Sequence, residues 1–212
     1  PALFRVHDKP EDSAFKPILP ALDRMGIRFP PGRLDIRECF QLTLRQAQAK
    51  PARNVIQRWI LRVMMRAEYR HVNIGHFGLA SDSYVHFTSP IRRYPDLVNH
   101  RIVRACIRGV QPGDMELGDS TGDIGMTGRH ASRMEERAQK IEWDAQAIYS
   151  MQFMKLHLGS VFNGFVSGVA RVGLFVELLE YPVEGLIRVA MLDDDYYELD
   201  EVRLLLRGRN RG

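Results

Sequence analysis

Gly159-Ser160-Val161-Phe162-Asn163-Gly164-Phe165-Val166, followed by Gly173-Leu174-Phe175-Val176 and Glu184-Gly185-Leu186-Ile187, divides the chain in two. Val161, Phe165, Val166, Val169, Val172, Leu174 and Val176 sit here among Gly164, Gly168 and Gly173. β-Branched and aromatic residues broken at short intervals by glycine predict a β meander, with glycine at bulges and bends. Gly185 to Val189 predicts its third strand. The boundary between the two parts falls near Leu158.

Upstream the pattern is mostly helical. Leu3 to Val6 predicts a short strand, Ile18 to Met25 a short helix closed by Gly26, and Asp35 to Lys50 a longer helix. From Pro51 to Arg70, Val55, Ile56, Trp59, Ile60, Val63, Met64 and Ala67 recur at helical spacing and predict one apolar stripe. Arg58, Arg62, Arg66 and Arg70 form a second stripe at four-residue spacing. Like charges so placed repel by about 0.2–0.5 kcal/mol per pair, so the ladder needs partners or solvent. It reads either as a solvated face or as a contact for RNA phosphates. Asn73 to Val85, with Gly75 and Gly78, predicts strands and turns. Phe87 to Gly109 becomes helical after a Ser-Pro pair, with Ser89 as a candidate cap and Pro90 at the first helical position. Pro95 lies too far inside for that helix to run smoothly, so it starts later or kinks. Gln111 to Gly128, with five Gly and four acids, predicts a loop. Arg129 to Leu158 predicts a long helix with Met134, Ala138, Ile141, Ala145, Ile148 and Phe153 on its apolar side.

The 212 residues are 45% hydrophobic and 26% charged, an ordinary globular balance that excludes a collagen, a disulfide scaffold and a wholly disordered chain. No run reaches the ~20 apolar residues that cross a bilayer, and Pro1 to Pro10 shows no secretory apolar segment. Cys39 and Cys106, far apart, are expected to be buried reduced thiols, which suits a cytoplasmic protein. The net charge of +4 is unevenly spread. Thr43 to Val110 holds 12 Lys and Arg against 3 acids, or +9, whereas Gln111 to Gly212 holds 11 against 17, or −6. Of the 30 basic residues 25 are Arg, whose planar fork grips phosphate through two hydrogen bonds. A basic middle beside acidic flanks points to a polyanion-binding surface.

Within that basic stretch lie His76-Phe77-Gly78-Leu79-Ala80, then Tyr84 and His86-Phe87-Thr88-Ser89-Pro90-Ile91-Arg92-Arg93-Tyr94-Pro95-Asp96, then Asn99-His100-Arg101. These strings resemble the C-terminal half of the catalytic domain of the RNase II/RNase R family, on the RNase R side of it. The β meander is similar to the ribosomal-type RNA-binding OB module that closes RNase R chains. The resemblance implies an α+β chain. A partial mixed α/β catalytic domain would cover 1–157, and a truncated OB-fold β-barrel that binds RNA would cover 158–212, with too few residues for the last two of its five strands. It also implies part of a metal-dependent, processive 3′→5′ exoribonuclease that hydrolyses single-stranded RNA to nucleoside 5′-monophosphates in the cytoplasm. Two Mg2+ ions would stabilise the entering and leaving oxygens.

On this likeness Arg92 is the candidate catalytic residue, placed to offset charge that builds in the transition state. The Ser-Pro helix start beside it would favour an anion. Arg93 and Arg101 would hold neighbouring phosphates, and Thr88 and Ser89 would donate to phosphate or ribose oxygens, Ser89 capping as well. Tyr94 and His100 complete the candidate RNA contacts, with a structural role open for both; His86 reads as structural or phosphate-adjacent. In the C-terminal module Phe175 matches a base-stacking position, although it also suits the core, as Phe165 does. Val172 stands where an aromatic is common, and Arg188 where many relatives have His. The family's Asp-rich metal motif has no equivalent here. Asp193-Asp194-Asp195 reads as a solvated loop. The Mg2+ ligands are therefore expected in the N-terminal portion of the catalytic domain, which is a partner this chain needs for activity. A non-catalytic RNA-binding module, a degenerate relative without metals, or a scaffold for a degradation complex remain the alternatives.

Overall fold

The computed structural model describes residues 1–30, 35–50, 52–111, 123–200 and 205–210. The chain divides into two compact units, each assembled from distant segments: Pro1–Lys9 with Met65–Gln152, and Pro10–Met64 with Phe153–Gly212.

In the first unit, β1 (Phe4–His7) pairs antiparallel with β2 (Ala67–Arg70), Phe4 opposite Arg70 and Val6 opposite Glu68. Leu3 and Tyr69 from this ribbon pack with Val98 and Ile102 of α4 (Tyr94–Ile107), and Ile124 and Ala131 of α5 (Ile124–Lys155) close the cluster. The helix expected over Pro51 to Arg70 therefore divides. Its first part is a helix of the other unit; Ala67–Arg70 is a strand. Val63, Met64 and Ala67 fit helical spacing, but pairing with β1, some sixty residues earlier, decides the conformation of Ala67 to Arg70. The strands expected between Asn73 and Val85 are absent; a single 3-10 turn at Phe77–Leu79 and bridges from His76 to His7 and Ser81 take their place.

α5 begins five residues earlier than expected. Asp123 caps it, its Oδ1 accepting from the N–H groups of Gly125 (2.7 Å) and Met126 (3.2 Å). The part of the predicted glycine-rich loop from residue 112 to 122 lies outside the described residues, whereas Gly125 and Gly128 are helical. Their glycines serve close approach rather than a turn. A Cβ on Gly128 would stand 2.6 Å from the Tyr69 carbonyl oxygen and 2.9 Å from Leu3 Cδ1. One turn on, Ser132 Oγ donates to the Gly128 carbonyl (3.0 Å) and accepts from the Tyr69 N–H (2.9 Å). Gly128→Ala should gain about 1 kcal/mol of helix propensity and lose more than that to a clash with backbone that no rotamer relieves. A net loss of about 1–2 kcal/mol is expected in a thermal melt; unchanged stability would mean that α5 is not held against β2. Beyond this contact the helix's apolar side is open to solvent, with Met134, Ile141 and Ile148 each about half exposed.

The second unit combines α1 (Leu19–Arg24), α2 (Ile36–Ala47) and α3 (Arg53–Val63) with five strands. α1 ends as expected, at a Gly26 with φ +66°, a value that costs glycine little. Phe15, Phe29 and Phe40 form the aromatic centre beneath α2, with ring centroids 5.0–6.1 Å apart. A reciprocal cap between Asp35 and Glu38 starts that helix. α3 buries Val55, Ile56 and Ile60. β3 (Gly164–Ala170), β4 (Gly173–Leu178) and β5 (Glu184–Arg188) form the expected antiparallel meander, with a bulge between Val166 and Gly168. Contrary to expectation, two more strands follow: β6 (Tyr197–Asp200) and β7 (Leu205–Gly208) make an antiparallel hairpin. Four-residue strands of mixed polarity leave no run long enough to read. The acidic run before them is not merely solvated. Asp195 accepts from the Asn210 N–H (2.9 Å) and side-chain amide (2.8 Å), pinning the base of the hairpin, and Tyr197 donates to Asp194 (3.0 Å). Among the described residues the three-stranded and two-stranded sheets are not joined into a closed barrel.

Cys39 is buried and Cys106 exposed, both as free thiols, so the expectation of two buried cysteines holds only for the first. Among the described residues no helix is long and apolar enough to cross a membrane.

Candidate RNA interface

Residues 86–93 run irregularly into α4, and their conformation differs from the expected Ser-Pro helix start. Arg93, not Ser89, occupies the cap position, and Pro95 sits comfortably in the first turn. The helix therefore starts later rather than kinking. Ser89 instead closes a turn: its carbonyl accepts from the N–H groups of Arg92 (3.3 Å) and Arg93 (3.0 Å). Its own N–H donates to Asp96 Oδ1 (2.8 Å), which also accepts from Arg93 Nη2 (2.9 Å). Asp96 is wholly buried. The anion argument based on a helix beginning at Ser89 does not apply, because that N–H already has a carboxylate partner.

Asn99, one turn along α4, joins the inner side. Its Oδ1 accepts from the Leu3 N–H (2.9 Å), and its Nδ2 donates to the carbonyls of Leu3 (2.9 Å) and His86 (3.1 Å). Tyr69, whose hydroxyl lies 2.8 Å from His86 Nδ1, fixes the ring before the loop. Burial holds His86 below the usual histidine range, and Arg93 and Arg5 push it the same way. Burial raises Tyr69, partly offset by Arg5. Both shifts favour a neutral phenol donating to a neutral imidazole. His76 is likewise lowered by burial, then by its stacked neighbour His7.

The outer side is the reverse. Thr88, Arg92 and Arg101 are exposed, Ile91 fully so, and Tyr94 is 41% exposed. Arg101 Nη1 donates to the Tyr94 hydroxyl at 3.5 Å, with its guanidinium 5.9 Å from the ring centre. His100 stacks flat on Phe87, centroids 4.0 Å apart, and donates through Nε2 to the Phe87 carbonyl (2.7 Å). Ser89 and Arg93 are half-buried, Arg93 turned inward to Asp96. Thus seven of the predicted site residues, Thr88, Ser89, Arg92, Arg93, Tyr94, His100 and Arg101, lie on one loop and the helix after it.

Phe175 and Arg188 lie in the other unit. Phe175 faces Leu186, and Arg188 pairs with Gly173, so both occupy one face of the meander. Phe175 is half-buried and Arg188 exposed. Farther along that face, Arg58 pairs with Glu177 and Glu184, with its guanidinium 6.0 Å from the Phe165 ring. The arginine ladder is therefore not one stripe. Arg66 pairs with Glu136 (2.7 Å), Arg70 with Asp8 and Glu68 (3.0 Å each), and Arg62 stands in solvent. A cleft of about 680 Å³ between β2 and α5 gathers Arg5, Arg66, Arg70, Arg129 and Arg133, but Glu135 and Glu136 offset the first two.

Among the described residues, no three His, Cys, Asp or Glu side chains converge to hold a metal ion. The residues present do not fit the implied Mg2+. Asp96 and Asn99, which sequence reasoning passed over, supply the side-chain bonds of the inner side. The signal was available for Asn99: it shares the inner face of α4 with the apolar residues Pro95, Val98 and Ile102, where an amide demands partners.

The profile described as RNB domain matches residues 1–109, half the chain, and that of the S1 RNA binding domain matches 155–206. The chain is 38% identical over its whole length to ribonuclease R of Thermotoga maritima and to that of Escherichia coli K12, covering 30% and 27% of those proteins. It thus spans about 30% of the length of the curated relatives it matches. Its fold superposes on Mycoplasma genitalium RNase R, solved with ribose-methylated single-stranded RNA, at a TM-score of 0.86 over 99% of this chain and 33% of that one, with 23% identity. A yeast protein described as a pseudonuclease, Ssd1, superposes at 0.71 over 97% of this chain and 26% of that one, with 22% identity. With its exposed Arg92 turn set on buried Asp96 and Asn99, and an S1 module following the long helix, this chain belongs to the RNase II/RNase R family.

Proposed function

We propose that this chain is the arginine side of a 3′→5′ exoribonuclease site: residues 1–157 as the C-terminal half of the catalytic domain, and 158–212 as the beginning of its OB-type RNA-binding domain. The observation that carries this reading is the division of residues 86–101 into an internally bonded inner side and an exposed outer side bearing Thr88, Arg92, Tyr94 and Arg101. Arg92 would meet the scissile phosphate, where its fork offsets negative charge that grows during attack. The Thr88 and Ser89 hydroxyls would donate to phosphate or ribose oxygens. Arg101, laid against Tyr94, would hold the next phosphate, and the Phe87–His100 stack would support the strand's edge. Arg93 would act from inside, through Asp96. Phe175 and Arg188 would take bases and phosphate upstream. Mg2+, bound by carboxylates of the N-terminal half of the domain, would supply the activated water. The products would be nucleoside 5′-monophosphates, and free thiols at Cys39 and Cys106 suit a cytoplasmic location.

The likeness to a pseudonuclease supports a second reading, RNA binding without cleavage. Both readings predict that the chain alone binds a single-stranded oligonucleotide. Three phosphate contacts, from Arg92, Arg101 and Arg188, should give log Kd against log salt a slope of about 2. A slope near zero would remove RNA from both readings. The chain alone should release no mononucleotides with Mg2+, and joined to the upstream half of the domain it should. Robust release by the chain alone would mean that its own residues complete the site; none from the joined protein would favour the second reading.

A further inference from the structure

Burying a carboxylate is costly unless its oxygens are satisfied. Asp96 is 0% exposed, yet only Oδ1 is bonded, to the Ser89 N–H and Arg93 Nη2. Among the described residues Oδ2 has no partner, and neither does the buried Nε of Arg93. A donor and an acceptor suited to one another are thus both idle. The strong arrangement for such a pair is the side-on fork, two parallel N–H···O bonds. Here the carboxylate spends its bonded oxygen on a main-chain N–H seven residues upstream and leaves the fork unmade.

We propose that Asp96 is a positioning residue, which holds the Ser89–Arg93 turn so that Arg92 is presented to RNA in one orientation. Ser89 is gripped on both sides of its Cα: its N–H by the Asp96 carboxylate, its carbonyl by the N–H groups of Arg92 and Arg93. The Asp96 N–H donates in turn to the Arg93 carbonyl (3.2 Å), which closes the circuit. Between the two anchors the chain carries Ile91 and Arg92 with no apolar cover, Ile91 being fully exposed. Nothing else on the inner side bonds to the backbone of residues 90–92 among the described residues. Asp96 also stands in the first turn of α4, where an acidic side chain is favoured by the helix dipole. A guanidinium that must meet charge as it develops gains from being held in place before the reaction, because reorientation then costs nothing at the transition state.

This inference rests on the proposed role of Arg92, and the test separates the two. In the complete enzyme, Asp96→Asn keeps the shape and an acceptor for Ser89 but loses the charge that orients Arg93. It should lower kcat about tenfold and change KM less than about twofold. In an Arg92→Ala background the same substitution should add no further loss, since Arg92 is the group it positions. Losses that multiply would overturn the positioning role while leaving Arg92 its own. An Arg92→Ala enzyme as fast as the parent would overturn the proposed function instead. An Asp96→Asn chain that fails to fold would make Asp96 a residue of stability and would also overturn the inference. A measurement on the unmodified enzyme needs no variant: the Ser89 amide should be strongly protected from hydrogen exchange, well above Ile91. Exchange at Ser89 as fast as at Ile91 would show that the carboxylate does not hold the turn.

Discussion

Replacing Arg92 with Ala in the complete enzyme is expected to lower kcat roughly a thousandfold while RNA affinity changes less than about threefold. The asymmetry follows from where the side chain stands. Arg92 is exposed and among the described residues has no acidic partner, so its removal leaves no orphaned carboxylate behind and the fold unharmed. On the proposed assignment, ground-state affinity would be spread over several contacts, among them Arg101 and the S1 module, and would survive the loss of one. Charge in the transition state is concentrated on the reacting phosphate, and a single fixed fork carries much of its stabilisation. Arg92→Lys should recover part of the rate but not all, because an ammonium keeps the charge and loses the planar pair of donors. Single-turnover rates with a short labelled RNA, beside Kd for a non-cleavable analogue, make the measurement. Equal losses in the two would make Arg92 a binding residue and nothing more.

The clustering of the candidate residues around Arg92 could be read from sequence because it is local. Residues 86 to 101 are contiguous, and their spacing already limits how far apart their side chains can be. The β meander was legible for the same reason, through β-branched and aromatic residues set among glycines. What escaped depends on partners far away in the chain. Ala67 to Arg70 carries no strand signal of its own and becomes one by pairing with Phe4 to His7. Arg58, Arg66 and Arg70 look like one ladder until Glu177, Glu136 and Asp8 meet them from other elements. Gly128 reads as loop in a glycine-rich stretch, and only the closeness of the Tyr69 carbonyl shows why glycine stands there. Within the site itself, the sequence showed which side chains carry charge but not which of them face inward. Arg92 and Arg93 are adjacent and chemically identical; one is displayed and the other turned to a buried carboxylate, a difference that Asp96 imposes.

Asn99→Ala is expected to be the most destabilising single change in the first unit, by about 3–4 kcal/mol, the long tail of point-mutant effects. The side chain makes three hydrogen bonds, all to backbone: a paired donor and acceptor with Leu3, as a neighbouring strand would make, and one to the His86 carbonyl. Leu3 is wholly buried and Asn99 is 4% exposed, so water cannot easily replace what Ala removes. Each buried backbone group left unpaired costs about 1–3 kcal/mol, and the Leu3 groups are the more deeply placed. In a chain of this size the loss should lower Tm by roughly 10 °C. Asn99→Asp tests the reasoning more closely. It keeps the acceptor for the Leu3 N–H and turns the donor into a second acceptor facing two carbonyls, so it should be at least as damaging as Ala. Were Asp tolerated better than Ala, the bonds to the Leu3 and His86 carbonyls would not be what Asn99 contributes. The same substitution should loosen the loop at its His86 end, since Asn99 ties that carbonyl to α4. A melt that falls without any change in the exchange of residues 86–89 would separate the fold's need for Asn99 from the site's.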